Sequence, residues 1–379
     1  MKKIIYMTIA VSLVFYPIYI FDSGYPQISD ILMFGSFIMF VFKYEIRNDL
    51  ILKTVLALLF LIFFINFFWG FIYSSTEFII SSFYYLLNFS FLIMIINIYF
   101  TDGKILLEVI YKSIVISIVI QILLSPFLIN KGLTRQTLLF NNPNQLGYYS
   151  LLCLVIVILL YFILNKRFSH FLLITLASIY LAFLSNSTST IISMLFIVFV
   201  TIVYIYFAKL KLKGKLITMF CFFIVIISLL SNYGFIKDSA LIENFLNRIN
   251  QKEEKNISVM EERHYNRVLD YFELTFFGAG EGLTKERFDS PVEIHSTVLS
   301  FYFNYGIIAT LLLLLLFLIL LNKISFIPII ILIGLHFYGL THNGIRQPLF
   351  WLAHALIYIG NYQGIFNLRN TFKVTYNKR

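Results

Sequence analysis

A series of long, uninterrupted apolar runs constrains this chain more than any other feature. An α-helix of about 20 apolar residues is long enough to cross the hydrocarbon core of a bilayer. The runs are continuous rather than alternating, which excludes an outer-membrane β-barrel. Only 13% of the residues are charged, whereas soluble domains carry roughly 25%. The sequence therefore predicts an all-α, polytopic helical membrane protein with one integral membrane domain over residues 1–379.

The basic residues predict how these helices are oriented. We expect about twelve transmembrane helices, near residues 4–22, 28–42, 50–69, 77–99, 105–129, 146–165, 169–185, 189–208, 215–232, 295–321, 324–340 and 347–363. With a cytoplasmic N-terminus, the alternate connections and the tail would hold most of the basic residues: Lys43, Arg47, Lys104, Lys166, Arg167, Lys209, Lys211, Lys213, Lys215, Lys323, Arg369, Lys373, Lys378 and Arg379. The positive-inside rule then predicts that both termini are cytoplasmic.

Two predicted extracytoplasmic segments follow from this orientation. The first is residues 130–145, and the second is a large loop over 233–293 that holds twelve of the nineteen acidic residues. The short connections on this face carry only Lys131, Arg135 and Arg346. Membrane insertion disfavours basic residues on the extracytoplasmic side, so these three are candidates for a functional role. Cys153 and Cys221 lie in apolar runs, and we expect neither a metal site nor a cofactor.

The segment NKGLTRQTLLFNNPNQ, residues 130–145, has two interpretations. Pro143 pushes Asn142 toward an extended conformation, and Asn144 is a suitable N-cap for a helix that begins near Leu146. Alternatively, exposed amides beside Arg135 at a helix N-terminus would form an anion site. The sequence permits both interpretations.

The segment ISVMEERHYNRVLDYFELTFF, residues 257–277, has the pattern of an amphipathic helix. Arg263 and Arg267 lie four residues apart and would share one face of it, where like charges repel. Either Asp270 partly neutralises Arg267, or an external anion such as phosphate bridges the two guanidinium groups. The helix would run into the sequence FFGAGEG.

Three histidines are candidates for proton transfer on this face. His295 lies where the large loop re-enters the membrane, and it is either a capping or interfacial residue or a general base. His264 and His342 are weaker candidates. In the last extracytoplasmic connection, THNGIRQPLFW, Arg346 either binds an anion or extends to the lipid headgroups.

These motifs, taken in order, resemble the O-antigen polymerase and O-antigen ligase superfamily of bacterial surface polysaccharide assembly. The resemblance covers roughly residues 130–350: Arg135 before Asn142-Pro143-Asn144, then Arg263 or Arg267 before Gly278 and Gly280, then His295 before a helix with Gly306. The chain departs from the pattern in two places. It has SNSTSTII at 185–192 where the family often has Ser-Arg-Gly, and Ser296 follows the histidine where Asn is usual.

The resemblance implies a fold like that of C-type glycosyltransferases and a metal-independent polymerase in the bacterial inner membrane. Its substrates would be undecaprenyl-diphosphate-linked repeat units, joined into O-antigen or capsular polysaccharide on the outer face, with a chain-length regulator as a partner. His295 would be catalytic. Arg135, Arg263, Arg267, Asn142, Asn144 and Arg346 would bind substrate.

Three alternatives remain open at this stage. The chain is a ligase that transfers polymer to lipid A core, a flippase for lipid-linked oligosaccharide, or a membrane protein without catalytic function. Charged residues inside the spans would favour a flippase. Few are present, mainly Glu108 and Lys112, which are spaced to pair with each other.

Overall fold

The computed structural model describes residues 1–22, 26–130, 132–208, 259–288, 293–323 and 325–366. The regular secondary structure of these ranges is helical throughout. Six of their helices are long and apolar enough to cross a membrane. The prediction of an all-α membrane protein is thus confirmed for this part of the chain, and the count of twelve spans and their orientation remain predictions. The predicted span 215–232 and loop residues 233–258 lie outside the described residues.

The helices of the described ranges are numbered here in chain order. They are α1 (Lys2–Phe15), α2 (Ile28–Lys43), α3 (Leu50–Ile72), α4 (Glu77–Leu128), α5 (Pro143–Ile163), α6 (Phe168–Ser185), α7 (Thr188–Ala208), α8 (Val259–Glu262), α9 (Arg267–Asp270), α10 (Leu274–Phe277), α11 (Thr284–Phe288), α12 (Thr297–Leu321), α13 (Phe326–Gly339) and α14 (Pro348–Tyr362).

Helix α5 forms the centre of the bundle. Its most apolar 18-residue window is 94% buried, against 28% for the corresponding window of α3. The neighbours of α5 are α4, α6, α7 and α14. On α3, by contrast, Phe60, Phe64 and Phe71 point away from the protein, as expected of side chains that face lipid. The motif NPNQ therefore leads directly into a helix that is almost wholly enclosed by its neighbours.

Helix α4 joins two predicted spans, 77–99 and 105–129, across a kink at Asp102, where the backbone leaves helical geometry (φ −129°, ψ 16°). The Asp102 carboxylate accepts hydrogen bonds from the Tyr6 and Tyr44 hydroxyls at 2.6 and 2.8 Å and pairs with Lys2. Glu108 pairs with Lys166 at 2.6 Å, so the expected Glu108–Lys112 pair is wrong. A contact with the connection between α5 and α6 replaces the expected contact within α4.

The opposite end of the bundle carries the predicted functional loops, and we call it the site end. Here α1, α3, α4, α6 and α13 end, while α2, α4, α5, α7, α12 and α14 begin. Each helix N-terminus presents unpaired N–H groups and a partial positive charge. The C-termini at the same end carry the opposite partial charge, so a preference for negative groups is confined to the immediate surroundings of each N-terminus.

The expected amphipathic helix over 257–277 is not continuous in its described part. Three single-turn helices, α8, α9 and α10, replace it. His264 adopts a left-handed backbone conformation (φ 56°). Because a residue in this conformation cannot continue a right-handed helix, α8 and α9 are separate. Arg263 and Arg267 therefore do not share a helix face.

The 278–288 segment is anchored to α3 by an aromatic cage. The Arg287 guanidinium lies 4.7, 4.9 and 4.8 Å from the ring centroids of Trp69, Tyr73 and Phe288. Its Nη1 donates to the Ala279 carbonyl at 2.6 Å. Cation–π contacts that exclude water are worth more than exposed ones, so Arg287 is an anchor for this segment. It was not among the predicted functional residues.

Candidate functional site

The motif Asn142-Pro143-Asn144 forms a helix cap and a support for Arg135. Asn142 is the N-cap of α5: its Oδ1 accepts from the Asn144 N–H at 2.8 Å, and its own N–H donates to Gln145 Oε1 at 3.1 Å. The expectation that Asn144 caps this helix is wrong, because the helix begins earlier, at Pro143. The Asn144 Oδ1 instead accepts a hydrogen bond from the Arg135 guanidinium.

Arg135 links the N-P-N motif to the end of α6. Its Nε donates to the Ser185 carbonyl at 3.2 Å. Gly147 on α5 lets the residues between α6 and α7 approach closely, since a Cβ at Gly147 would lie 2.8 Å from Ser185 Oγ and 2.9 Å from Thr190 Oγ1. The hydroxyl-rich stretch 185–190 therefore packs on the first turns of α5.

A stack of aromatic rings connects α5, α13 and the last connection of the site end. The Tyr148 and Tyr338 rings are stacked at 4.2 Å, and the Tyr338 and His342 rings at 4.6 Å. His342 Nδ1 lies 3.3 Å from Ser189 Oγ and 2.9 Å from Thr341 Oγ1. These contacts bring His342, one of the weaker histidine candidates, next to the 185–190 stretch.

Arg263 reaches the same place from the large loop. Its Nη1 donates to the Thr341 carbonyl at 3.0 Å, and Tyr338 lies within electrostatic range of both Arg263 and Arg135. Among the residues that the structure describes, Arg263 pairs with no carboxylate. Arg135 and Arg263 thus approach one aromatic stack from two distant parts of the sequence.

Arg267 has a different environment. Its side chain is 6% exposed, its guanidinium lies 5.1 Å from the Phe288 ring centroid, and it interacts electrostatically with Glu293. Burial raises the pKa of the Glu293 carboxyl, and the charge of Arg267 opposes that rise. The two arginines between which the sequence left the choice open thus lie in different environments. Arg267 is buried beside an aromatic ring, and Arg263 lies among polar groups.

His295 lies directly beside Arg263. Its N–H donates to the Arg263 carbonyl at 3.1 Å, its ring centroid lies 6.4 Å from that of His264, and Ser296 rather than His295 caps α12. Burial lowers the pKa of the His295 imidazole, Arg263 and His264 lower it further, and Glu262 opposes them. The lowered pKa favours the neutral imidazole, which is the form that can accept a proton. We call Arg135, Asn144, Ser189, Arg263, His295 and His342 the polar cluster.

Arg346 is already paired. One Nη contacts both Glu281 and Glu293, the latter at 2.9 Å. Glu281 is 5% exposed, and its Oε2 accepts from the Tyr305 hydroxyl at 2.6 Å. Because two carboxylates balance its charge, Arg346 ties the large loop to the last connection. The two interpretations of Arg346 from the sequence, anion binding and headgroup contact, remain predictions beside these ion pairs.

A cavity of about 710 Å³ opens beside the Arg346 ion pairs. The connection between α1 and α2, the start of α4, the 281–286 and 293 region of the large loop, Gln145 and residues 343–348 form its wall. Its size falls within the roughly 300–1,000 Å³ range of small-molecule sites. His295 does not line this cavity, whereas Gln145 of the NPNQ sequence does, so the polar cluster and the cavity are neighbours at the same end.

Two acidic residues of this region were not among the predicted site residues. Glu281 lies inside FFGAGEG, and Glu293 precedes His295 by two positions. The available signal was an acidic residue within a glycine turn, which alone has no specific meaning. No model of a known protein family matches this chain, and a comparison with curated proteins finds no match.

Proposed function

We propose that this protein is a metal-independent glycosyltransferase that polymerises undecaprenyl-diphosphate-linked oligosaccharide repeat units into O-antigen or capsular polysaccharide. One observation carries the proposal. At the site end Arg135 donates to the end of α6, Arg263 donates to the Thr341 carbonyl beside the stacked Tyr338 and His342 rings, and the His295 N–H donates to the Arg263 carbonyl. A cavity of about 710 Å³ lies at the same end. A lipid-diphosphate donor needs cations, and an attacking sugar hydroxyl needs a base.

The cations act on the leaving group. Arg135 and Arg263 bind the donor diphosphate, supported by the N-termini of α5 and α7, where backbone dipoles favour anions. As the bond between the anomeric carbon and the diphosphate oxygen breaks, the electron pair leaves with undecaprenyl diphosphate. Fixed cations that face this developing charge stabilise the transition state.

His295 acts on the acceptor. The acceptor hydroxyl oxygen forms the new bond to the anomeric carbon, and its proton passes to the neutral His295 imidazole. Burial and the adjacent Arg263 lower the pKa of this imidazole and so favour its neutral form. Arg346 has a positioning role in this scheme, because Glu281 and Glu293 already balance its charge. Arg267, Asn142 and Asn144 hold the loops that carry the cations.

The proposed setting is the bacterial inner membrane. In it the chain has about twelve spans, both termini in the cytoplasm, and the polar cluster on the periplasmic or external face. The loop 233–293 is extracytoplasmic, and the fold is of the C-type glycosyltransferase kind. The donor's isoprenoid chain reaches the polar cluster laterally from the bilayer, past apolar side chains such as those on the outer face of α3.

Gel profiles of surface polysaccharide from a deletion strain test this function. The strain is complemented with wild type, Arg135→Ala, Arg263→Ala, His295→Ala or the control Arg167→Ala, an exposed cation at the opposite end. A polymerase deletion leaves a single repeat unit attached. Wild type and Arg167→Ala restore the ladder of long chains, and His295→Ala does not. Complete loss of attached sugar in the deletion indicates a ligase or a flippase, and full rescue by every variant refutes this site.

A further inference from the structure

The cavity at the site end has an acidic lining within a basic protein. The chain carries a formal net charge of +10. The cavity wall nevertheless holds five carboxylates and two cations: Asp30, Glu77, Glu281, Glu286 and Glu293 with Lys285 and Arg346. A wall that bound diphosphate would have the opposite balance.

The local helix N-termini do not cancel this excess. Helices α2, α4 and α14 begin at the cavity, and each contributes about half a positive charge. Asp30 and Glu77 lie in the first turns of α2 and α4, where they also stabilise those helices. Three half charges offset about half of the formal excess of three carboxylates, so the cavity remains negative.

The ion pairs of Arg346 fix the geometry of this wall. Glu281 and Glu293 both contact the Arg346 guanidinium, and Glu77 accepts from the Leu283 N–H at 3.0 Å. Glu77 and Glu293 are accessible and retain acceptor capacity, because a carboxylate offers about four lone-pair sites, whereas Glu281 is buried between Arg346 and Tyr305. The wall therefore holds hydrogen-bond acceptors in fixed positions, and the charge of Arg346 is already balanced by Glu281 and Glu293.

The remaining lining suits a sugar. Tyr16, Tyr19 and Tyr84 contribute rings with an apolar face and a polar tip, and Gln145, Asn343 and Gln347 contribute carboxamides. The Gln27 carboxamide is bonded to the backbone of Ile20 and Phe21. Sugar hydroxyls donate well to carboxylates, and charge-assisted hydrogen bonds of this kind are about twice as strong as neutral ones. The volume of about 710 Å³ leaves room for more than one sugar ring.

We propose that this cavity binds the acceptor glycan through sugar residues that are neutral or carry an amine, and that its carboxylates exclude uronic and other anionic sugars. The assignment of the ligand as a glycan rests on the proposed function. Donor and acceptor would then bind at separate places: the polar cluster holds the anionic diphosphate, and the acidic cavity holds the uncharged or cationic sugar. Like charges brought together at an interface disfavour the wrong ligand.

A binding experiment on the full-length protein in detergent tests this inference without any turnover. Saturation-transfer NMR and titration calorimetry compare three trisaccharides: chitotriose, its fully deacetylated amine form and trigalacturonate. Chitotriose and the amine form are expected to bind, and trigalacturonate at least about tenfold more weakly, with a difference that shrinks at high salt. Equal or tighter binding of trigalacturonate, or binding of none of the three, overturns the inference.

Variants connect the charge preference to the cavity. Glu286→Gln, at an exposed position of the wall, and Glu286→Gln with Glu293→Gln are expected to reduce the difference between trigalacturonate and chitotriose several-fold. Glu273→Gln, an exposed carboxylate of the same loop outside the wall, serves as the control. An equal effect of Glu273→Gln, or no effect of the double variant, contradicts the inference.

The two proposals fail in different ways. If His295→Ala still restores the polysaccharide ladder while the three trisaccharides keep their expected order, the proposed mechanism falls and the cavity assignment stands. If the ladder is lost as expected but trigalacturonate binds like chitotriose, the polymerase proposal stands and the cavity assignment falls.

Discussion

Gly278 and Gly306 meet backbone to backbone where the large loop contacts α12. A Cβ on Gly306 would lie 2.6 Å from the Phe276 carbonyl oxygen, and a Cβ on Gly278 would lie 2.6 Å from the Asn304 carbonyl oxygen. Both residues have positive φ, 100° at Gly278 and 75° at Gly306, and the latter breaks the regular geometry of α12. Backbone hydrogen bonds from Ala279 and Gly280 to α12, at 2.9 and 2.8 Å, complete the contact.

Replacing either glycine is expected to destabilise the protein. Gly306→Ala introduces a Cβ into an occupied space and into an unfavourable backbone conformation, each of which costs about 1–3 kcal/mol. The melting temperature in detergent should fall by several degrees. Gly35→Ala is the matched control, because no atom lies within 4 Å of a Cβ at Gly35. Equal melting temperatures for the two variants would show that the contact is loose.

The ion pair between Arg346 and Glu281 predicts that a second substitution restores the stability lost on replacing Arg346. Arg346→Gln leaves Glu281 buried without its cation, and breaking a buried pair in this way costs roughly 3–5 kcal/mol. Arg346→Gln with Glu281→Gln removes both charges and should recover most of the lost stability. Thermal unfolding of both variants beside Glu281→Gln measures the coupling. Independent, additive losses would mean that Arg346 and Glu281 do not stabilise each other.

The environment of His295 predicts how activity depends on pH. His295 must be neutral to accept a proton, so activity is present above its pKa and is lost as the pH falls below it. Burial, Arg263 and His264 lower this pKa, and Glu262 raises it. Glu262→Gln should therefore move the acidic limb of the kcat/KM profile to lower pH, and Arg263→Gln should move it to higher pH.

These shifts distinguish a base from a structural histidine. A His295 that only stabilises the loop leaves the acidic limb unchanged in both variants. Asp270→Gln, an exposed carboxylate on α9, is the control for a general loss of negative charge from the loop. A limb that moves equally in Asp270→Gln and Glu262→Gln would contradict the assignment to His295.

The hydrogen bonds of Arg135 predict that lysine cannot replace arginine at this position without loss of activity. Its guanidinium donates to the Ser185 carbonyl and to Asn144 at once, and the single ammonium group of lysine cannot reproduce that fork. Arg135→Lys is expected to lower kcat/KM at least about tenfold while the protein folds normally. Arg167→Lys, at the opposite end, should be neutral. Wild-type activity of Arg135→Lys would show that only the charge matters.

The helices were predictable where the hydrophobicity of the local sequence determines them. Apolar runs gave the positions of α3, α5, α6 and α7 closely, because a helix that spans a bilayer must be apolar and about 20 residues long. The break within 257–277 was not predictable, since His264 is not a residue type that usually ends a helix. Its left-handed conformation depends on the contacts of Arg263 and Tyr265 with the residues around it.

The candidate site was predictable in part for a similar reason. Arg135 stood out as a basic residue in a predicted extracytoplasmic connection, and Arg263 stood out by its spacing from Arg267. In the structure the charges of Arg135 and Arg263 both act on Tyr338. The ion pairs of Arg346 were not predictable. Glu281, Glu293 and Arg346 are distant in the sequence, and acidic residues in a large loop give no sign of which cation they will meet.

The central claim is that this protein joins lipid-linked repeat units by means of the polar cluster. The most direct measurement uses purified protein reconstituted in liposomes with undecaprenyl-diphosphate-linked repeat units and an excess of EDTA, with products separated by gel electrophoresis. We predict a ladder of polymer with wild type and Arg167→Ala, and only the starting repeat unit with His295→Ala and Arg135→Ala. A ladder of equal length from His295→Ala, or no polymer from wild type under any substrate condition, would contradict the account.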